Sequence, residues 1–170
     1  MRKLLLTASL CLTICACCAQ QYTESKTIGP WTYFGVTDAG LTTKMAYTYS
    51  QPLNFETGPT STEMNVSLSR KGQMSIFLSN KNGEFMKGGL GDSIVVRFDD
   101  YNLTSWRVAH ATVKNDPTTI FIKDKQDFYH ALRQSKKVSI RAVFNDGVQW
   151  MTFYTKDFSF SNIMMEDANW

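Results

Sequence analysis

Apolar and polar residues alternate along much of this chain, and this alternation limits its fold more than any other feature. In 62–70 the apolar positions are Met64, Val66 and Leu68, with polar residues between them, and 73–79 repeats the pattern. Successive side chains of a β-strand point to opposite faces, so a period of two places one face in a core and the other in water. The pattern predicts an antiparallel β-sheet.

Further segments share the alternation, and short turns connect some of them. Strands are predicted at 93–99, 137–144 and 148–154, and more weakly at 31–36, 41–49, 105–113 and 118–122. The glycine-containing link 70–72 suits a hairpin between strands 62–70 and 73–79. Asn145-Asp146-Gly147 predicts a second hairpin with a type I′ turn, because Asp-Gly tolerates the positive φ that both central positions need.

One segment follows a helical period instead. In 124–134 the apolar residues Phe128, Ala131 and Leu132 are spaced at i, i+3 and i+4, and Asp124 begins an approximate capping box. This spacing predicts one short helix at about 124–134. Eight or nine strands with a single helix predict a mainly β fold, either an antiparallel β-sandwich or a partly open barrel.

All four cysteines lie within the first 18 positions, inside a segment that has the three parts of a secretory signal. Arg2 and Lys3 supply the charged start, an apolar run extends from Leu4 to Ile14, and small residues follow up to Ala19. The run is shorter than the ~20 residues that a permanent membrane span requires. We therefore divide the chain into a leader at 1–19, a polar tether at 20–29 and a single β domain at 30–170.

Two cleavage sites are compatible with this leader. Ile14-Cys15-Ala16-Cys17 resembles a bacterial lipobox, which makes Cys17 the expected lipid attachment residue. Cys17-Cys18-Ala19 alternatively suits ordinary signal peptidase, which would cut before Gln20 and release a soluble product. We expect export and a lipid anchor, with the domain held at the outer membrane and facing the periplasm or the surface. The alternative is a soluble periplasmic or secreted protein.

Composition excludes several chemistries from the domain. The 18 lysines and arginines nearly balance the 15 acidic residues, at a formal net charge of +3, so no nucleic-acid partner is expected. A body without cysteine cannot hold a disulfide, a Cys-ligated zinc ion or a thiol nucleophile. Neither His110 nor His130 has a second ligand at metal-binding spacing, so we expect no metal and no cofactor.

The glycine-rich segment 82–92 is the candidate binding loop. It lacks the Lys-Ser/Thr pair and the following helix of a phosphate-binding P-loop, and it predicts a turn between strands. Loops on rigid β scaffolds carry much recognition. Its candidate binding residues are Gly83, Phe85, Lys87, Gly88, Gly89 and Gly91.

The pair Asp99-Asp100 and His110 come closest to a catalytic set in this sequence. Aspartates after a strand usually build turns through bonds to the backbone, and the sequence contains no nucleophile elbow. We therefore predict no catalytic residue.

Strand 148–154 is apolar on both faces, since Val148, Trp150 and Tyr154 alternate with Met151 and Phe153. It is either a central strand or half of an exposed platform. An aromatic platform would suit a glycan or a protein partner, whereas a central strand would belong to a large core.

Several landmarks occur in a recognisable order. They are Trp31; Val95, Val96, Phe98 and Asp99 in one strand; Trp106; Phe121, Ile122, Phe128 and Leu132; Lys-Val-Ser-Ile-Arg at 137–141; Phe153; and Trp170. Over roughly 31–160 this order resembles the invasion-associated-locus-B-like proteins and the type VI secretion-associated accessory proteins. The resemblance implies a non-catalytic, mostly β envelope module, and it carries over no catalytic residue.

The expected function is that of an exported bacterial envelope protein, a lipid-anchored and non-enzymatic binding or accessory module. Its expected partner is an envelope protein or a glycan. One alternative is an inhibitor, immunity or exclusion lipoprotein that inserts the loop 83–91 into a hydrolase or a phage factor. A second alternative is an uncharacterised hydrolase based on His110 and Asp99-Asp100.

Overall fold

A computed structural model describes residues 21–22, 24–38, 41–112 and 116–162 of the chain. The strands are β1 Gln21–Tyr22, β2 Lys26–Ile28, β3 Trp31–Asp38, β4 Leu41–Tyr49, β5 Leu53–Phe55, β6 Gly58–Thr60, β7 Thr62–Ser69, β8 Met74–Asn80, β9 Ser93–Phe98, β10 Thr104–His110, β11 Thr119–Ile122, β12 Lys137–Phe144 and β13 Gly147–Tyr154. The α-helix α1 spans Lys125–Gln134, and 3-10 turns occur at Gly89–Asp92 and Phe160–Asn162. Each of the nine predicted strands is present, so the prediction of a mainly β fold is confirmed.

Eleven strands form one antiparallel sheet in the order β1-β3-β4-β7-β8-β11-β10-β9-β12-β13, with β2 also paired to β3. The sheet changes partners within β10, whose residues 108–110 pair with β11 while residues 104–107 pair with β9. We call β1–β4, β7, β8 and β11 the first layer, and β9, β12 and β13 the second layer. The end strands β1 and β13 do not pair with each other in the described ranges, so the sheet is open there.

The core lies between the inner faces of the two layers. Its largest buried side chains include Trp31, Tyr33, Met64, Ile76, Leu78, Ile94, Phe144 and Phe153. Helix α1 closes one end of this core, because Phe128 packs edge-on against Phe98 and Trp106 at centroid distances of 5.3 and 5.2 Å. The chain after β13 returns to the same end of the core, where the ring centroids of Phe158 and Trp31 are 4.3 Å apart.

The helix is confirmed, but its predicted capping box is wrong. Asp124 occupies the N-cap position and makes no side-chain bond to the helix. Its Oδ1 instead accepts a hydrogen bond from Arg107 Nη2 at 3.0 Å. An ion pair with the neighbouring strand β10 therefore replaces the local cap.

Both predicted hairpins form, although the second has a different turn. In the β7–β8 turn Gly72 has φ 74°, and its N–H donates to the Ser69 carbonyl at 2.9 Å. In the β12–β13 turn only Gly147 has a positive φ, of 117°, so the type I′ prediction is wrong. Asn145 is held from outside the hairpin, since its N–H donates to the Glu84 carbonyl at 2.9 Å and its Nδ2 to Glu84 Oε2 at 3.0 Å.

Four short strands were not predicted. β5 and β6 form a separate hairpin of three residues per strand, which is too short for an alternating pattern to show. β1 and β2 lie within 20–29, the expected tether, and both pair with β3. In the part of the chain that the structure describes, no helix has the length and apolar character needed to cross a membrane.

Candidate binding surfaces

The glycine-rich loop is fixed to the domain by hydrogen bonds that its backbone N–H groups donate, to a side chain at its start and to backbone carbonyls further along. Asn80, at the end of β8, accepts the N–H groups of Asn82 and Gly83 through its Oδ1 at 3.0 and 2.7 Å. Further along, Phe85 N–H donates to the Pro117 carbonyl at 2.8 Å, and Met86 N–H donates to the Val143 carbonyl at 3.0 Å. The segment is therefore bound to the β10–β11 connection and to β12.

Three of the six candidate loop residues face inward. Phe85 is 2% exposed and stacks on Phe144 with ring centroids 4.4 Å apart. A Cβ at Gly83 would lie 2.6 Å from the Phe55 ring, and one at Gly91 would lie 1.8 Å from the Met86 carbonyl oxygen. These glycines permit close packing and cannot present a binding group.

The exposed tip of the loop consists of Lys87, Gly88 and Gly89, followed by Leu90, which is 74% exposed. Of the candidate set, Lys87, Gly88 and Gly89 are therefore accessible to a partner. Cys17, the predicted lipid attachment residue, lies outside the described residues.

The residues of the hydrolase alternative are not brought together. Asp99, at φ 47°, accepts the N–H groups of Lys136 and Lys137 through Oδ1 at 2.9 and 2.8 Å, as expected for a turn-building aspartate. His110 ends β10, six residues beyond its start at Thr104, so it lies roughly 20 Å from that turn along the strand.

Among the described residues, one charged side chain forms a close contact with His110. Its Nε2 lies 3.8 Å from Asp92 Oδ1, and neither ring nitrogen has a hydrogen-bond partner among the described residues. His130 is exposed on α1. The described residues contain no cluster of three or more metal-ligating side chains.

An aromatic row crosses the outer face of the first layer. Phe34 lies 5.9 Å from Tyr47, and Tyr47 lies 5.5 Å from Tyr49, as ring centroids. Beside this row Asn65 Nδ2 donates to Glu63 Oε1 at 2.6 Å. The aromatic residues of this face therefore border a polar pair on the adjacent strand β7.

We expect Tyr49 to ionise only at high pH. A hydrogen bond to the Glu63 carboxylate, together with burial, raises the pKa of Tyr49 to about 12 from its ordinary value of 10.0. The stabilisation of the folded state by this bond is complete below pH 10 and is lost as the pH rises through 12. Glu63→Gln should move the Tyr49 transition to lower pH, which tyrosinate absorbance measures with Tyr49→Phe as the reference. An unchanged midpoint in Glu63→Gln would contradict this assignment.

The outer face of the second layer is exposed and carries aromatic side chains. β13 is the last strand of the sheet, and its outward residues Val148, Trp150 and Tyr154 are 56%, 44% and 52% exposed. Its inward residues Met151 and Phe153 are fully buried. One face of strand 148–154 is therefore buried in the core, and the other face is an exposed platform. The strand is not a central strand of the sheet.

Two arginines lie beside this platform. Arg141 of β12 stands directly opposite Trp150, and Arg97 of β9 stands opposite Ser139, two residues from Arg141. Arg97 and Arg141 are exposed, and neither makes a hydrogen bond or an ion pair within the described chain. Arg97, Lys137, Arg141, Trp150 and Tyr154 together form what we call the basic–aromatic face.

The basic–aromatic face contains no acidic side chain on its strands. The outward positions of β9, β12 and β13 are Ser93, Val95, Arg97, Lys137, Ser139, Arg141, Val143, Val148, Trp150, Thr152 and Tyr154. The face can therefore attract an anion with its guanidinium groups and cover an apolar surface with its rings. Alternation within strands 93–99 and 137–144 places Arg97 and Arg141 on the polar face of each strand, but the pairing of β9 with β12, which makes them neighbours, is not evident from the sequence.

The described architecture defines a class of protein: a mainly β, sandwich-like domain with one helix at the end of its core. No protein-family model matches the chain, and no curated protein matches it at a significant level.

The fold is similar to that of a solved structure, the crystal structure of invasion associated protein b from Bartonella henselae. The TM-score is 0.53 at 14% sequence identity, and the alignment covers 82% of this chain and 92% of that chain. At this identity the likeness is one of fold. It agrees with the fold that the sequence resemblance implies.

Proposed function

We propose that this protein is an exported, non-enzymatic binding module of a bacterial envelope, and that the basic–aromatic face is its contact surface. The secretory pattern of 1–19 supports export. The similar solved structure is that of a protein named as invasion associated, which agrees with a role in contact at the cell boundary.

The observation that carries this proposal is that Arg97 and Arg141, two neighbouring arginines without an acidic partner among the described residues, lie beside exposed aromatic rings. Like charges on neighbouring strands repel each other, so Arg97 and Arg141 bring no stability to the sheet from their proximity. Exposed Trp150 and Tyr154 add apolar surface without adding to the core. Tryptophan, tyrosine and arginine are the residues most enriched at the energetic centres of interfaces.

We test the proposal with envelope material from the source cell. In detergent, which takes up any acyl chain, the purified full-length protein should bind immobilised envelope proteins and glycans, and Trp150→Ala/Tyr154→Ala should weaken this binding at least tenfold. The matched control Leu41→Ala/Tyr49→Ala removes two similarly exposed apolar side chains from the first layer and should bind normally. Equal binding by both double variants would refute the assignment of the surface.

We further propose that the protein is anchored through lipid on Cys17. β1 begins at Gln21, so four residue steps, spanning at most roughly 14 Å, would separate the acylated residue from the sheet. Such an anchor would hold the domain close to the bilayer instead of at the end of a long tether.

Cys17→Ser should abolish palmitate labelling and release the protein from the membrane fraction, because the acyl chains supply most of the membrane affinity. Cys18→Ser is the matched control and should keep both the label and the membrane location. Membrane retention of Cys17→Ser without label would show that lipid at this residue is not the anchor.

A further inference from the structure

We infer that the basic–aromatic face binds a glycan that carries carboxylate groups, such as a polyuronic acid. This inference rests on the proposed function and names the class of ligand for the same surface. It combines three features of the face: two guanidinium groups without a partner among the described residues, exposed aromatic rings beside them, and three antiparallel strands that hold both sets in register.

The free positive charge of the face is concentrated on Arg97 and Arg141. They are diagonal neighbours across β9 and β12, a relation that separates backbone positions by roughly 7–8 Å and leaves both long side chains within reach of one acid group. The nearby cation Arg107 is already engaged by Asp124 at 3.0 Å. Lys137 lies next to the Asp99 carboxylate, which binds its backbone N–H.

The rings next to the arginines suit a sugar. Trp150 pairs directly with Arg141 across β12 and β13, so an acid group on Arg141 would place the rest of its sugar over the indole. Aromatic rings bury the apolar C–H face of a saccharide while polar groups at the edge of the site stay hydrated. Thr152, between Trp150 and Tyr154 on the same strand, adds a hydroxyl, and it shares a 3.4 Å contact with Ser139.

The type of anion follows from the donors present. A guanidinium fork matches a planar carboxylate with two parallel hydrogen bonds. Phosphate sites usually add backbone N–H groups from a helix N-terminus or a loop. Beside the two arginines the backbone N–H groups belong to inner strands, since β9 pairs with β10 and β12, and β12 pairs with β9 and β13, so those donors are occupied.

The placement of charged and apolar side chains on the face favours a glycan over a bilayer. Arg97 and Arg141 lie on β9 and β12. This strand pair is flanked by β10 on one side and by β13 on the other. The exposed apolar side chains lie on both sides of these cations, with Val148, Trp150 and Tyr154 on the end strand β13 and Leu103 just before β10, which pairs with β9. In the described part of this face, two cations therefore interrupt the apolar side chains, an arrangement that suits a polar ligand with apolar faces better than a hydrocarbon interior.

The experiment measures binding of the full-length, processed protein to polygalacturonate by calorimetry, with neutral dextran as the uncharged probe. We expect saturable binding to polygalacturonate that weakens with salt, and none to dextran. Arg97→Ala/Arg141→Ala should lower the affinity at least tenfold. The control Arg70→Ala/Lys71→Ala removes the same charge from the exposed β7–β8 turn and should lower it less than threefold.

The outcomes separate this inference from the proposed function. Equal losses in the two double variants would show general charge attraction and overturn the inference. Binding to phosphatidylglycerol vesicles that is lost in Arg97→Ala/Arg141→Ala, without binding to polygalacturonate, would identify a membrane surface and would also overturn it. If polygalacturonate fails to bind while envelope fractions still bind through Trp150 and Tyr154, the glycan is excluded and the binding module stands. Thermal unfolding of each variant verifies that it is folded.

Discussion

Phe85→Ala is expected to lower the free energy of unfolding by about 3–5 kcal/mol, the usual cost of truncating a buried phenylalanine. Phe85 lies in the glycine-rich loop but is 2% exposed, and its ring stacks on Phe144, which also packs against Phe55 at 5.0 Å. Truncation would remove one of three clustered rings and leave a cavity beside the Phe144 ring. Urea denaturation measures the change as a lower midpoint at an unchanged slope.

The control for this prediction lies in the same loop. Leu90 is 74% exposed, so Leu90→Ala should change the free energy of unfolding by less than about 0.5 kcal/mol. If Phe85→Ala were as mild as Leu90→Ala, the aromatic contact with Phe144 would not exist in solution. The candidate loop would then be free to present Phe85 to a partner.

Asn80→Ala is expected to cost about 3 kcal/mol, because one buried amide satisfies three separate groups. Its Nδ2 donates to Thr62 Oγ1 at 2.8 Å, and its Oδ1 accepts the N–H groups of Asn82 and Gly83. A buried polar group that loses its partner costs about 1–3 kcal/mol. The loss should also loosen the start of the glycine-rich loop, which amide hydrogen exchange at Gly83 would detect as faster exchange.

Asn102→Ala is the matched control for Asn80→Ala, since Asn102 is exposed in the β9–β10 turn. It should leave both the unfolding midpoint and the exchange rate at Gly83 unchanged. Slow exchange at Gly83 in Asn80→Ala, despite a lower midpoint, would mean that the bonds of Phe85 and Met86 hold the loop without the amide.

Much of the fold follows from local patterns. Alternation locates strands such as β7 and β12 because each buries one full face, and helical spacing locates α1 because Phe128 and Leu132 both enter the core. The patterns do not locate β1, β2, β5 and β6. These strands have two or three residues each and depend on a longer neighbour or on each other for their hydrogen bonds.

The candidate sites were predicted less well, for a physical reason. The glycine-rich loop has the composition of a mobile turn, yet its anchors are the Pro117 and Val143 carbonyls, which are distant in sequence. Composition alone therefore cannot distinguish Phe85, which is in the core, from Leu90, which is at the tip. The basic–aromatic face likewise needs three strands from two parts of the chain.

The sequence by itself determines that this chain forms antiparallel strands with one helix, because side-chain periodicity is a local property that each segment carries alone. It also determines which side chains share a face within each strand. The tertiary structure alone decides which strands become neighbours, and hence that Arg97 meets Arg141 and that β13 ends the sheet. Pairing depends on the combined burial of both layers around one core, and no single segment contains that information.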